Sequence, residues 1–283
     1  MKLYVNCITS GTELRNDIKA LIPEMNVRRR MSRVVKSGVA AGIESLLAFG
    51  DRARVDAIVT ATGLGCIADS EKFLDALIAN EETMLNPTPF IQSTFNTVGA
   101  QIALLRGLHC YNTTYAHRWA SFENALTDAA LRIGAGLSRA VLVGAFDETT
   151  PSVEKVLQRL GVVQEGIWGE SSVFFVLTAE AFDTTVAAIT EIGFPDGTAA
   201  GQEPGNAPEG RDCQTIRASE SGVPPHFTAI AEVFRRTVAG NTKQTGDAGD
   251  TENIGSTGNN GRRIVLYNDF PGKIISAIEL TCM

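Results

Sequence analysis

The stretch from Leu108 to Gly144 constrains the fold most, because it spells strand, turn, helix and strand in unbroken order. A strand-like run, Leu108 to Thr114, turns at Tyr115–Arg118 into a helical pattern. The apolar residues Trp119, Phe122, Leu126, Ala129, Ala130 and Ile133 of that pattern recur at three- and four-residue spacing. Gly134 and Gly136 are placed to end the helix, glycine being the residue that accepts a left-handed backbone without strain. A buried β-run, Ala140 to Gly144, follows. This order sets the turn at a helix N-terminus, where free N–H groups and the helix dipole stabilise a thiolate or an oxyanion. A reactive cysteine suits such a turn, and this chain has His117 there.

The alternation extends over the first two thirds of the chain. Strand-like runs at Lys2–Ile8, Asp56–Thr62, Leu108–Thr114, Ala140–Ala145, Ser172–Thr178 and Ala187–Ile192 are separated by helical patterns at Met31–Phe49, Asp69–Asn80, Thr94–Arg106, Ala120–Ile133 and Val153–Leu160. Such alternation predicts an α/β protein with a largely parallel sheet. After Gly193 the pattern changes. Residues 194–225 and 239–262 are rich in Gly, Pro, Asn, Thr and Asp, a composition too polar for a core and suited to loops. Between them, the segment after Pro225 reads as one helix ended by Gly240, and the chain closes with strands Arg263–Tyr267 and Lys273–Leu280.

Charge and cysteine usage narrow the function classes. With 25 basic and 32 acidic residues the net charge is −7, which argues against a general binder of nucleic-acid backbones. Arg28-Arg29-Arg30 is the one basic cluster; it reads as a solvated helix start or as a contact for an anionic partner. No apolar run reaches the length of a signal peptide or a membrane span, so a cytoplasmic location without membrane attachment is expected. Cys7, Cys66, Cys110, Cys213 and Cys282 are scattered and lack CxxC spacing, so reduced thiols are expected and no metal site.

Several stretches together resemble the β-ketoacyl synthase family of the thiolase superfamily. They are MNVRRRMSRVVKSG (Met25–Gly38), VTATGLGCIADSEKF (Val59–Phe73), PTPFIQSTFNTVGAQIA (Pro87–Ala103), the turn and helix above, VLVGAFDE (Val141–Glu148), WGESSVFFVL (Trp168–Leu177) and RIVLYNDFPGKIISAIEL (Arg263–Leu280). The resemblance implies a thiolase-like layered α/β/α fold with a reduced second half. Residues 1–193 would form the ketosynthase N-terminal-like half, 194–262 variable loops with one helix, and 263–283 the closing β-hairpin of the same domain. It places His117 at, or within a residue or two of, the family's cysteine, and implies that the strand Leu108–Thr114 pairs across a dimer axis. It therefore suggests a noncatalytic subunit like the chain length factors of aryl polyene and polyketide systems. Such a subunit would pair with a complete ketosynthase, or with itself, and work with an acyl carrier protein, without a cofactor. Gly169–Glu170 would be a fold marker whose carboxylate joins a polar network.

Other readings of the residues stay open. An active 3-oxoacyl synthase or acyltransferase could use His117 or Cys110 as a non-standard nucleophile, although Cys110 lies some seven residues early, roughly 20 Å along a strand. His109 reads as a packed strand histidine, and His226 as a helix-start residue capping or meeting solvent, with catalysis as the alternative. Asp147 and Glu148, at the carboxyl end of a strand, read as a solvated loop. Gly63-Leu-Gly65-Cys-Ile-Ala68 fits the loose G-x-G-x-x-A dinucleotide pattern, with Glu81 and Glu82 about 20 residues on, so a nucleotide-binding Rossmann protein is the third alternative.

Overall fold

A computed structural model describes residues 1–162, 169–194, 213–217, 219, 221, 226–243, 263–268 and 276–283. Its strands are β1 (Leu3–Ser10), β2 (Val55–Ala61), β3 (Tyr111–Tyr115), β4 (Ala140–Asp147), β5 (Ser171–Thr178), β6 (Thr185–Gly193), β7 (Cys213–Arg217), β8 (Arg263–Asn268) and β9 (Ser276–Cys282). The helices are α1 (Ile18–Leu21), α2 (Met25–Arg30), α3 (Arg33–Phe49), α4 (Ile67–Ala79), α5 (Pro87–Gln92), α6 (Thr97–Arg106), α7 (Ser121–Gly134), α8 (Pro151–Arg159) and α9 (Ala229–Lys243).

All nine strands join one sheet in the order β3-β2-β4-β5-β1-β6-β9-β8-β7. The expected largely parallel sheet is corrected here. Only β2–β3, β2–β4 and β7–β8 are parallel, whereas β5 runs antiparallel between β4 and β1, and β9 antiparallel between β6 and β8. β5 misled because its eight residues are all buried, and a fully buried run looks the same in either direction. β7 was also unexpected, a short strand within a Gly- and Pro-rich stretch. α9 continues to Lys243, past the glycine expected to end it.

The order is nearly symmetrical about the antiparallel β1–β6 pair. From that pair outward, both sides continue antiparallel, antiparallel, then parallel, and among the described residues only the first side adds a fifth strand, β3. β1 carries register shifts against both neighbours, and Cys7 sits at φ 52° between them. Asn6 satisfies the irregularity: its Nδ2 donates to the Val176 carbonyl and Thr178 Oγ1, and its Oδ1 accepts from Thr184 and Thr185.

Two cores follow from strand alternation. On one face, Val59, Val143, Phe175, Leu266 and Leu280 meet Phe122 and Leu126 of α7 and Ile230 and Phe234 of α9. On the other, Ile58, Leu142 and Phe174 meet α3 and α6 through Val39, Ile43, Val98 and Ile102. Close packing there needs a missing side chain: a Cβ on Gly144 would fall 2.0 Å from the ring of Phe174, so glycine lets that ring lie flat on β4. The sheet is thus layered between α7 and α9 on one face and α3 and α6 on the other, an α/β/α arrangement.

Candidate functional site

β2, β3 and β4 are mutually parallel, so their carboxyl ends gather on one edge, where open α/β sheets place functional groups. β3 leads through Ala116 and His117 into a short 3-10 turn, Arg118–Ala120, and then α7. The turn is pinned by Ser121. Its Oγ accepts the His117 N–H at 2.9 Å and lies 2.8 Å from the Thr62 carbonyl, tying the head of α7 to the end of β2.

Arg118, at φ 53°, is the residue held left-handed at this turn. A non-glycine in that region costs about 1–3 kcal/mol, and such strain clusters at functional turns. His117 precedes it and is exposed, its ring 5.8 Å from that of Tyr115. A guanidinium stays protonated and offers no lone pair for attack, so Arg118 cannot be a nucleophile. The space beside the turn is filled by aromatic side chains. The rings of Trp119 and Phe227 meet at 4.9 Å between centroids, tilted by 60°, and Leu64, Val153 and Leu157 pack around them.

The same aromatic packing removes the dinucleotide reading. A Cβ on Gly63 would fall 2.1 Å from Phe227, and one on Gly65 2.6 Å from Phe95, so these glycines admit rings, not a pyrophosphate. The Gly63 N–H goes to Asp147 and the Ala68 N–H to Glu148, which puts carboxylates where phosphate oxygens would sit. Glu81 and Glu82 follow α4 in a turn with positive φ, not the end of a second strand.

Asp147 and Glu148 are buried, contrary to the solvated loop expected of them, at 3 % and 4 % exposure. Asp147 Oδ1 accepts from Thr62 Oγ1 (3.1 Å) and Gly63 N–H (2.8 Å); Oδ2 accepts from Thr228 N–H (2.7 Å) and Oγ1 (2.8 Å). One carboxylate therefore joins the end of β2 to the approach to α9. His226 lies beside it, buried rather than solvent-facing, its Nε2 2.7 Å from Ser171 Oγ. Glu123, on the first turn of α7, is fully buried and accepts from Asn268 Nδ2 (2.7 Å) and from Ser276 Oγ, latching α7 to β8 and β9. Burial pushes its carboxyl upward against those two bonds. Glu170 is exposed and paired with Arg33 at 2.5 Å. None of these contacts could be read locally, since the partners lie 55 to 153 residues apart.

Glu148 also has a measurable electrostatic signature. Burial pushes its carboxyl from the ordinary 4.5 up to about 7, opposed by the Ala68 N–H bond and reinforced by Asp69. The folded chain thus holds this proton more tightly than the unfolded one. The resulting stability is complete below about pH 4.5 and is lost as pH rises through about 7. Over that window the wild type is expected to lose on the order of 2 kcal/mol more than Glu148→Gln does; urea unfolding of both proteins at stepped pH checks this, and parallel profiles would contradict it.

Cys110 and His109 are not brought to the turn. They lie before β3, at the opposite end of the sheet, lining a separate cleft of about 370 Å³ with Arg54 and Arg106. His109 is exposed there, not packed on a strand face as expected. Burial pushes the Cys110 thiol up, away from thiolate formation. Cys7, Cys66 and Cys110 are free thiols, and the side chain of Cys213 lies outside the described residues. Among the described residues, no group of three or more His, Cys, Asp or Glu is placed to hold a metal ion, and no helix is long and apolar enough to cross a membrane.

Solved structures show the same architecture at low identity. The ishigamide ketosynthase/chain length factor matches with a TM-score of 0.71 at 14% identity, over 95% of this chain and 86% of that one. AntDE:AntF, a type II polyketide synthase acyl-carrier protein in complex with its ketosynthase, matches at 0.68 and 13%, over 100% and 99%. The ketosynthase ApeO in complex with its chain length factor ApeC, from Xenorhabdus doucetiae, matches at 0.57 and 16%, over 99% of each chain. No curated protein sequence matches. The family model for the beta-ketoacyl synthase N-terminal domain matches residues 11–162, more than half of the 283-residue chain. That span holds β2, β3 and β4, the strained turn and the helix it opens, and it establishes that the chain belongs to the β-ketoacyl synthase family through its N-terminal domain.

Proposed function

We propose that this chain is a cytoplasmic ketosynthase-like subunit that performs no condensation itself and acts as a chain-length-factor-type partner of a complete β-ketoacyl-ACP synthase. The assembly line would make fatty-acid-like, aryl polyene or polyketide chains. The observation that carries this reading is the head of α7: the left-handed position is Arg118, and the space before it is filled by Trp119 and Phe227. A condensing enzyme needs an activated nucleophile and room for an acyl chain at that point. This chain has no cysteine between Tyr115 and Ser121. His117 fits a noncatalytic replacement, because an acyl-imidazole hydrolyses too readily to store a growing chain.

A surface suited to a partner supports the pairing. Among the described residues β3 is an edge strand bonded only to β2, and an open edge attracts another strand. Helices α6 and α7 pack against β3, and each leaves a leucine in solvent, Leu104 at 74 % and Leu131 at 67 % exposure. Phe90, Ile91 and Phe95 are exposed on the preceding segment. For the carrier protein, α2 presents Arg29 and Arg30 to solvent while Arg28 bonds the Ile22 and Pro23 carbonyls; carrier proteins are acidic, and these cations stand out on a chain of net charge −7.

Co-expression with the complete ketosynthase of the same assembly line tests this. A 1:1 complex that alone yields product is expected; activity of this chain by itself would overturn the reading. The paired substitution Leu104→Asp with Leu131→Asp is expected to weaken the complex at least a hundredfold in light scattering, with unchanged circular dichroism. Full complex formation by that variant would remove the β3 surface from the interface.

A further inference from the structure

At the end of the sheet away from the α7 turn, the cleft that holds His109 and Cys110 measures about 370 Å³, in the size range of small-molecule sites, about 300–1,000 Å³. It opens where α3 and α6 end and β2 and β3 begin. Arg54, just before β2, and Arg106, on the last turn of α6, line it with the His109 imidazole. Neither guanidinium makes an ion pair among the described residues, whereas Arg33, Arg52, Arg235, Arg236 and Arg263 each face a carboxylate. Against these charges the lining sets one carboxylate, Asp51. Asp56, which acts on Cys110 from beside the cleft, is taken by the Arg139 N–H, 3.2 Å from each of its oxygens. The Cys110 thiol, which burial keeps protonated, adds no negative charge. Two helix C-termini border the cleft, and their negative ends would oppose an anion. At α3, however, Arg52 donates to the Ala48 and Phe49 carbonyls, and at α6 the Gly107 and Leu108 N–H groups turn back onto the Ala103 and Leu104 carbonyls, so both ends are covered. Two cations therefore stand against one anion before the imidazole is counted.

Each unpaired guanidinium presents a planar fork that matches the two oxygens of a carboxylate or a phosphate, and a ligand with a single charge leaves one fork unmet. We infer that this cleft binds a small organic dianion, a dicarboxylate or a phosphate monoester, with Arg54 and Arg106 on its acid oxygens, His109 beside them, and Leu46 and Leu108 against its carbon body. A ligand seated there covers Cys110 and lies away from the α7 turn. The site rests on the cleft alone, so it stands or falls separately from the ketosynthase partnership.

Titration of the full chain with succinate and with glycerol 3-phosphate at constant ionic strength, followed by ligand-detected NMR, is the test, with acetate as the singly charged control. Saturable binding of at least one dianion is expected, and the one that binds names the acid group. Acetate is expected to bind about tenfold more weakly, and Arg54→Gln and Arg106→Gln each to lose about tenfold in affinity for the dianion. Both arginines are exposed, so unchanged circular dichroism is expected of both variants. A second readout is alkylation of Cys110 by N-ethylmaleimide, followed by peptide mass mapping; the saturating dianion is expected to slow it several-fold. Saturable binding of neither dianion, or an affinity that both glutamine variants keep, would overturn the site. Acetate binding as tightly as the dianion would overturn the paired role of the two forks. Alkylation of Cys110 at one rate with and without saturating dianion would place the ligand elsewhere and overturn the assignment to this cleft.

Discussion

Replacing Asp147 with alanine is expected to lower the unfolding free energy by about 4 kcal/mol, among the largest effects a single change produces. The carboxylate accepts four hydrogen bonds in a site 3 % exposed, and its loss leaves the donors of Thr62, Gly63 and Thr228 without an acceptor. Each buried donor so abandoned costs about 1–3 kcal/mol, reduced where water enters the vacated volume. The consequence reaches beyond stability. Thr62 and Gly63 follow β2 behind the α7 turn, and Thr228 immediately precedes α9, so this group ties the end of β2 to the start of α9. Asp147→Asn keeps one accepting oxygen and is expected to lose about half as much. Urea unfolding followed by circular dichroism checks both. A loss below 1 kcal/mol for the alanine variant would show that water replaces the carboxylate, and that the network is not what ties β2 to α9.

Phe227→Ala is expected to cost about 3–4 kcal/mol, within the range for removing a buried phenyl ring. The ring covers Gly63 and packs at a tilt against Trp119, and the residue is 6 % exposed. Without it the volume in front of the α7 turn is empty, and apolar cavities of that kind take up small apolar molecules. The variant is therefore expected to gain saturable binding of a medium-chain fatty acid that the wild type lacks, and Trp119 fluorescence is expected to shift to the red as its neighbour is lost. A melting temperature within about 2 °C of wild type, with no bound fatty acid, would show that the aromatic pair does not close the turn. Because Thr228 is held by Asp147 and follows Phe227 directly, the two alanine changes share contacts and are expected to combine non-additively.

What the sequence made legible were features written locally. The three- and four-residue spacing of Phe122, Leu126, Ala129 and Ile133 marked α7, and these are the residues the structure buries against the sheet. Gly136, at φ 69°, is the left-handed residue just past that helix, as a glycine after an apolar period implies. The stretches from Met25 to Leu177 carried the family through their order. The antiparallel direction of β5 was hidden, because direction leaves no trace in an unbroken buried run. The buried state of Asp147, Glu148 and His226 was hidden for a different reason. A carboxylate at a strand end reads as solvated unless its donors are known, and here they come from Thr62, Ala68 and Thr228, about 80 residues away in either direction. Arg118 had no signal at all, since nothing in its neighbours announces a positive φ on a non-glycine residue.

The central claim is that the α7 turn of this ketosynthase-family chain carries no acyl group. Intact mass spectrometry of the purified protein after incubation with medium-chain acyl thioesters tests it most directly, with His117→Ala and Cys110→Ala treated in parallel. An unmodified mass is expected for all three proteins. An acyl adduct on the wild type that disappears in either variant would name a nucleophile and contradict it.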